Sequence, residues 1–386
     1  MRRRRKLILI LAVMAAIAVI TGSAWRFLGR KTVLIGFAGQ LTGKQAELGL
    51  QERNGVQMAI DACNAEGGIR GRPVTLLVRD DLGMPQQAKN VDRELIARGV
   101  VAIIGHPTTS QTLAAREVTN PAHMVLISPT VSSPQVNGRD DFFFRVYPSF
   151  DSSARAFARF MFQETGTKRL GIILDTDNGG YSENYVEAIQ AEFSAQQGAV
   201  VDMVRFSSRT QPDFTPWIRE MSARRLDGLL IVASDIDTAL IAQRVRILGW
   251  SVPLFASAWS QTATLLQKGG QAIEGLRLEQ SFRSDDRSPR FLAFSNQYRS
   301  RYGDEPSFGA AFGFEAAQVL IEALQRTGGK ADGLKPSLLK TRNFQGLMDS
   351  FSMDPHGDVI RPFYLSEVRN HRFVFLKQLT VSSATP

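Results

Sequence analysis

A short segment rich in hydroxyl side chains, residues 105–112, follows the apolar run VVAII and leads into a predicted helix. Thr108 and Thr109 lie in this segment, just ahead of the helix. Backbone N–H groups at the start of a helix carry partial positive charge, and neighbouring hydroxyls add donors, so such a segment attracts anions. The sequence therefore predicts that this segment holds a ligand carboxylate. Simple helix capping is the alternative, because threonine is a favoured N-cap.

A second hydroxyl-rich segment, residues 128–133, leaves the next apolar strand in the same way and carries Thr130 and Ser132. In open parallel sheets, ligands bind beyond the carboxyl ends of the strands, near the point where the strand order reverses. We therefore expect the two segments to lie side by side and to form one binding site.

Motifs for catalysis or metal binding are missing from the sequence. It has no GxSxG, HExxH or GxxxxGK[ST] motif, and its four histidines show no metal-ligand spacing. The turn DTDNGG at 175–180 resembles a calcium loop only in part, because the twelfth position is Val186 instead of glutamate. Cys63 is the single cysteine, which excludes an intramolecular disulfide and a cysteine-based zinc site. We expect no enzyme activity, no metal and no cofactor.

Strand-like and helix-like segments alternate from residue 32 and begin a second series near residue 151. Two successive β-α series predict an α/β fold with two doubly wound parallel-sheet lobes. The length of 386 residues suits two domains of about 150 residues each. After about residue 275 the pattern predicts two helices and a closing antiparallel strand pair, at 289–302, 308–328, 359–365 and 373–379.

The N-terminus combines a basic block with an apolar run. Residues 2–6 are all arginine or lysine, residues 7–20 carry no charge, and small residues follow up to Ala24. This pattern is typical of a secretory signal cleaved after Ala24. An uncleaved anchor over residues 7–27 is the alternative, because about 21 residues can span a bilayer. We expect residues 1–31 to direct the protein to the periplasm or the cell exterior.

The net charge of +9 is concentrated at the same end of the chain. Five of the excess positive charges lie in the basic block, and three more belong to Arg26, Arg30 and Lys31. The rest of the chain is nearly neutral, so it lacks the basic surface that DNA or RNA binding requires. We expect no nucleic-acid partner.

Six motifs occur in order between residues 41 and 324. They are LTG (41–43), NGVQMAIDACNAEGGIRGRPVTLLVRDD (54–81), VVAIIGHPTTSQT (100–112), LISPTVSS (126–133), FFFRVYPSFD (142–151) and FSNQYRSRYGDEPSFGAAFGFEAAQVLIEAL (294–324). Their order and spacing resemble those of the leucine/isoleucine/valine-binding family of periplasmic binding proteins. The resemblance extends over about residues 32–380.

The resemblance implies two lobes with a ligand cleft between them, joined by three crossovers near 145–149, 275–279 and 354–362. The expected segments are 32–146 with 280–350 for lobe 1, 147–277 with 355–380 for lobe 2, and a tail at 381–386.

The resemblance also implies ligand contacts in the first lobe. In this family a hydroxyl at the position of Thr109 holds the ligand carboxylate. The second segment supplies a backbone carbonyl at the position of Thr130 and a hydroxyl at the position of Ser132. We include Thr108, the neighbour of Thr109, among the candidate binding residues.

The second lobe departs from the family pattern. The aromatic residue after DTDNGG is retained as Tyr181, but Leu48 and Ser234 stand where the family has wall aromatics. Trp259 stands near the acid that pairs with the ligand ammonium in the family. Asp235 either replaces that acid or caps a helix, and Trp259 either stacks on the ligand or packs in the core.

These departures predict that leucine, isoleucine and valine are not bound tightly. An ammonium buried without a counter-charge costs several kcal/mol. The expected ligand is an amino acid, an amide or a related small carboxylate. If Asp235 does not reach it, the ligand should lack a free α-ammonium, as in an aromatic acid or an amide-bearing compound.

The function implied by the resemblance is that of a monomeric solute-binding protein of an ABC importer. Such a protein closes on its ligand, docks on permease subunits in the membrane and catalyses nothing. A membrane-tethered ligand-sensing module for a signalling partner is the alternative.

Overall fold

Short aliphatic runs form the strands at the centre of the molecule, and the segments between them form helices. The structure is a computed structural model that describes residues 31–210 and 212–380. Apart from Lys31, the expected export segment lies outside the described residues, as does the expected tail at 381–386. Among the described residues, no helix is long and apolar enough to cross a membrane.

The first sheet has five parallel strands and three helices between them. The strand order is β2-β1-β3-β4-β5, so the direction of winding reverses between β1 and β3. That reversal opens a crevice at the carboxyl ends of these two strands. The elements are β1 Val33–Gly39, α1 Ala46–Ala65, β2 Val74–Asp80, α2 Pro85–Ala97, β3 Ile103–Gly105, α3 Thr109–Thr119, β4 Leu126–Ser128 and β5 Phe143–Arg145.

The second sheet has seven strands and starts a new β-α series. Its central strands are apolar and buried, as expected for a sheet covered by helices on both faces. The elements up to its fifth strand are α4 Asp151–Gln163, β6 Arg169–Asp175, α5 Gly179–Ala195, β7 Ala199–Phe206, α6 Thr215–Ser222, β8 Gly228–Val232, α7 Asp235–Ile247, β9 Leu254–Ala256, α8 Ala263–Gly269 and β10 Arg277–Gln280.

An antiparallel hairpin completes this sheet, in the order β14-β13-β10-β9-β8-β6-β7. Its strands are β13, Tyr364–Arg369, and β14, Arg372–Gln378, so β13 begins later than the predicted 359–365. Asn370 and His371 form the turn, both with positive φ, and such two-residue turns match the twist of a hairpin. Pro362 lacks the N–H that a ladder needs, which accounts for the later start.

The late helices pack on the first sheet's side of the molecule. They are α9 Pro289–Tyr302, α10 Phe308–Thr327 and α11 Leu334–Leu338, followed by a small hairpin of β11 Phe344–Gln345 and β12 Ser350–Phe351. Helix α10 packs along α1 at close range. A Cβ atom at Gly55 would lie 2.0 Å from the carbonyl oxygen of Ala310, so only glycine permits this approach. The approach fixes Phe308, the first residue of α10, beside Leu48 of α1.

The chain passes between the two sheets three times: after β5, after β10 and before β13. Arg361 lies in the third passage and is buried. Its guanidinium donates to the carbonyl oxygen of Val146 in the first passage (3.1 Å) and pairs with Glu315 of α10 and with Asp349. The predicted fold, two doubly wound α/β lobes joined by three crossovers, is confirmed.

Candidate ligand-binding site

A cavity lies between the two sheets, beyond the carboxyl ends of β3, β4, β6 and β9. Leu48, Pro107, Thr109, Thr130, Ser132 and Phe308 line one side, Asn178, Tyr181, Ala258 and Trp259 line the other, and Tyr147 of the first crossover lies between them. None of these side chains carries a formal charge.

Two hydroxyl groups on the first-lobe wall are available to a ligand. Thr109 begins α3, Ser132 follows β4, and both residues are almost fully buried. Within the part of the chain that the structure describes, neither side-chain hydroxyl makes a hydrogen bond to another protein group. Each hydroxyl can therefore donate to an acceptor inside the cavity.

The Thr130 hydroxyl is already engaged in the protein. It lies 2.5 Å from Oε1 of Glu52 and 2.8 Å from the carbonyl oxygen of Pro107. A single hydroxyl proton cannot serve both of these groups and a ligand. Thr130 therefore lines the cavity without a free side-chain donor.

Three helices begin at the cavity. They are α3, which begins at Thr109, α5, whose first turn holds Tyr181, and α10, which begins at Phe308. Two of them meet across the cleft, where the N–H of Ser110 donates to Asn178 Oδ1 (3.3 Å). Helix N-termini carry partial positive charge, so the cavity favours an anion although none of its described lining side chains is cationic.

Aromatic rings form the rest of the wall. The rings of Tyr181 and Trp259 meet edge to face at 6.1 Å between centroids, and those of Tyr147 and Phe308 do so at 6.4 Å. Leu48 adds an aliphatic group. The cavity thus has a polar first-lobe wall and an aromatic remainder.

The two remaining candidates lie outside this cavity. Thr108 lines a small neighbouring space that shares Leu48, Pro107 and Trp259 with the main cavity. Asp235 is the first residue of α7, and its carboxylate accepts hydrogen bonds from Thr262 Oγ1 (2.6 Å) and from the N–H of Ile236 (2.8 Å). Its two oxygens are thus engaged within the second lobe.

Buried charges support the first-lobe wall from behind. The ring of His106 lies 2.5 Å from Asp81 and 3.2 Å from Asp92. Burial alone would lower the pKa of His106, but the charges and hydrogen bonds of Asp92 and Asp81 raise it to about 10. Burial raises the pKa of Glu52 to about 8, although its hydrogen bond with Thr130 opposes the shift. At neutral pH, His106 is therefore a cation and Glu52 is neutral.

Stability is expected to fall as the pH rises from about 5 to about 10. Both pKa values lie above the ordinary ones, 4.5 for Glu52 and 6.5 for His106, so the folded state keeps protons that the unfolded chain releases. Glu52 contributes its full stabilisation to the folded state below pH 4.5, and this contribution is lost as the pH passes about 8. The stabilisation contributed by His106 is lost between about pH 6.5 and 10.

Urea unfolding at several pH values measures this effect. Between pH 5 and 8, titration of Glu52 should lower the free energy of unfolding by about 2–4 kcal/mol, because each unit of pKa shift corresponds to about 1.4 kcal/mol. Glu52→Gln removes the titrating carboxyl, so the free energy of unfolding should fall less steeply between pH 5 and 8. Equal pH slopes for the wild type and Glu52→Gln would contradict the assignment.

Polar contacts also cross the rim of the cleft. Lys44, which follows β1, pairs with Asp237 of α7, whose carboxylate is buried in the second lobe. Gln45, which follows Lys44 in the sequence, donates to Asp175 Oδ2 at the end of β6 (2.7 Å). These contacts hold the lobes together without touching the cavity lining.

Asn178, Tyr147 and Phe308 are among the lining residues that the sequence did not predict. Asn178 lies in the DTDNGG turn, which was considered only as a calcium loop, and no cluster of metal-binding side chains occurs among the described residues. Tyr147 lies in a crossover, and Phe308 begins a helix 161 residues further along the chain. Phe308 had one local signal, since it directly follows Ser307 at a predicted helix start.

Comparison with known proteins gives concordant matches. The model of a family described as "Periplasmic binding protein" matches residues 32–372. An "Amino acid binding protein" of Pseudomonas aeruginosa is 25% identical over 332 residues, which cover 85% of this chain and 87% of that protein.

Two solved structures have the same fold. One is a leucine-binding protein from Thermotoga maritima, with a TM-score of 0.81 and 25% identity over 90% of this chain and 99% of that chain. The other is an ABC-transporter solute-binding protein from R. palustris in complex with benzoate. It has a TM-score of 0.83 and 19% identity over 92% of this chain and 98% of that chain.

Proposed function

Because this chain belongs to the periplasmic binding protein family, we propose that it is the extracytoplasmic solute-binding component of an ABC importer. It captures a small carboxylate between its lobes and delivers it to permease subunits in the membrane. The relatives support this role, since they are binding proteins for amino acids, leucine or benzoate. It acts by binding and release, without catalysis.

The hydroxyl groups on the first-lobe wall of the cavity are the observation from which we infer the ligand class. The free hydroxyls of Thr109 and Ser132 lie where the N-terminus of α3 opens into the cavity. Hydrogen bonds to an ionised group are stronger than bonds between neutral groups, and the helix terminus adds favourable electrostatics. In this proposal a carboxylate accepts from both hydroxyls.

We also propose the division of the chain that this function requires. Lobe 1 comprises 32–146 and 281–350, and lobe 2 comprises 147–280 and 355–380, because β10 of the second sheet runs to Gln280. The packing of α10 on α1 supports assigning the late helices to lobe 1. Residues 1–31 direct export, and the mature protein acts as a monomer.

A ligand screen on residues 32–386 tests the proposal. Small carboxylates, amino acids and amides are added in turn, and the melting temperature is measured. A ligand present at 100 times its Kd should add about 2.7 kcal/mol to the free energy of unfolding. Small-angle scattering then compares the radius of gyration with and without the best ligand. Absence of any stabilising carboxylate would refute the proposed ligand class.

A further inference from the structure

Among the described residues, no charged side chain lines the cavity to pair with a cationic ligand group. All of its lining side chains are uncharged, and the carboxyls of Asp235, Glu279 and Glu52 are not part of the lining. Asp235 is bonded to Thr262, Glu279 to Tyr185, and Glu52 lies behind Thr130. Since burial raises the pKa of Glu52 to about 8, this carboxyl is neutral at pH 7 and supplies no counter-charge. An α-ammonium in the cavity would be desolvated and unpaired.

The shape of the lining favours a flat ring. Tyr147, Tyr181, Trp259 and Phe308 contribute four aromatic side chains to the same small space as the hydroxyls of Thr109 and Ser132. Aromatic rings attract one another in edge-to-face or offset-stacked geometry, beyond the gain from burying apolar area. A planar ring therefore gains more from this wall than an aliphatic chain of similar size.

We propose that the ligand is an aromatic carboxylate that lacks an α-ammonium group. Its carboxylate accepts from Thr109 and Ser132, and its ring contacts Trp259 and Tyr181. This inference rests on the proposed function and narrows it, because α-amino acids are excluded by the uncharged lining.

Two matched ligand pairs test the two parts of the inference by calorimetry. Phenylalanine and 3-phenylpropionate differ only by the ammonium, and 3-phenylpropionate should bind at least about 100-fold more tightly. Benzoate and cyclohexanecarboxylate share the carboxylate but differ in ring type, and benzoate should bind about fivefold more tightly.

Variants at two tryptophans add an internal comparison. Trp259→Leu keeps an apolar side chain and should abolish the preference for benzoate over cyclohexanecarboxylate. Trp250→Leu is the matched control, because Trp250 is a half-buried tryptophan of the second lobe outside the cavity lining. It should leave the preference unchanged. The ligand preferences of both variants are compared once circular dichroism confirms their folds.

The outcomes separate this inference from the proposed function. If no carboxylate binds, the proposed carboxylate site itself is wrong. If carboxylates bind but phenylalanine equals 3-phenylpropionate, a counter-charge reaches the ammonium and the inference is overturned. Binding of benzoate and cyclohexanecarboxylate with equal affinity would likewise overturn the role of the aromatic wall.

Discussion

Replacing Arg361 by alanine is expected to lower the free energy of unfolding by about 3–5 kcal/mol. The guanidinium is buried, pairs with Glu315 and Asp349, and lies over the rings of Phe312 and Phe351 at 4.7 and 4.6 Å. Removal of the cation leaves the buried Glu315 carboxylate and the partly buried Asp349 carboxylate without this counter-charge. Urea unfolding monitored by circular dichroism measures the loss.

A surface ion pair serves as the control for this prediction. Arg299 and Glu305 form a pair in which both side chains are about half exposed. Exposed pairs contribute less than about 1 kcal/mol, so Arg299→Ala should change stability little. A loss of stability in Arg361→Ala no larger than that in Arg299→Ala would show that the buried cluster does not hold the crossover in place.

Thr109→Ala and Ser132→Ala are each expected to weaken carboxylate binding by about 1.5–3 kcal/mol, the range for a hydrogen bond to a charged group. That loss corresponds to roughly 10- to 150-fold in Kd. The fold should survive, since the structure gives neither hydroxyl a protein partner among the described residues. Calorimetry with the best carboxylate from the ligand screen provides the measurement.

An exposed serine provides the matched control for the site variants. Ser194 lies on the surface of α5, away from the cavity, so Ser194→Ala should retain wild-type affinity. Unchanged affinity in both Thr109→Ala and Ser132→Ala would remove the carboxylate from the first-lobe wall. The melting temperatures of the three variants show whether any loss reflects folding.

Local patterns predicted the fold because the central strands are buried on both faces and consist of aliphatic runs. The run GLLIV of β8 and the run VVAII ahead of α3 are examples, and each marks a strand through its composition alone. The ends of the strands were harder to predict than their presence, because they depend partly on pairing with other strands. The late start of β13, for instance, follows from Pro362 and also from the end of its partner strand β10 at Gln280, which is distant in sequence.

The candidate site was only partly predictable, because contacts across the cleft depend on tertiary structure. The order of the motifs indicated Thr109, Thr130, Ser132, Tyr181 and Trp259, and all five line one cavity. No local pattern specifies that the Thr130 hydroxyl is taken by Glu52, or that Asp235 is bonded to Thr262. Both facts follow from which distant side chains the folded chain brings together.

The Lys44–Asp237 contact at the rim has a kinetic consequence. A molecule enclosed in the cavity leaves only after the lobes separate, so its dissociation rate constant cannot exceed the rate of opening. Opening removes the lysine from the Asp237 carboxylate and leaves Ser208 and Ser234 as its neighbouring hydrogen-bonding side chains. Separating such a pair is costly, which favours slow release and a long residence time. In the proposed importer role, the permease would speed unloading by separating Lys44 from Asp237.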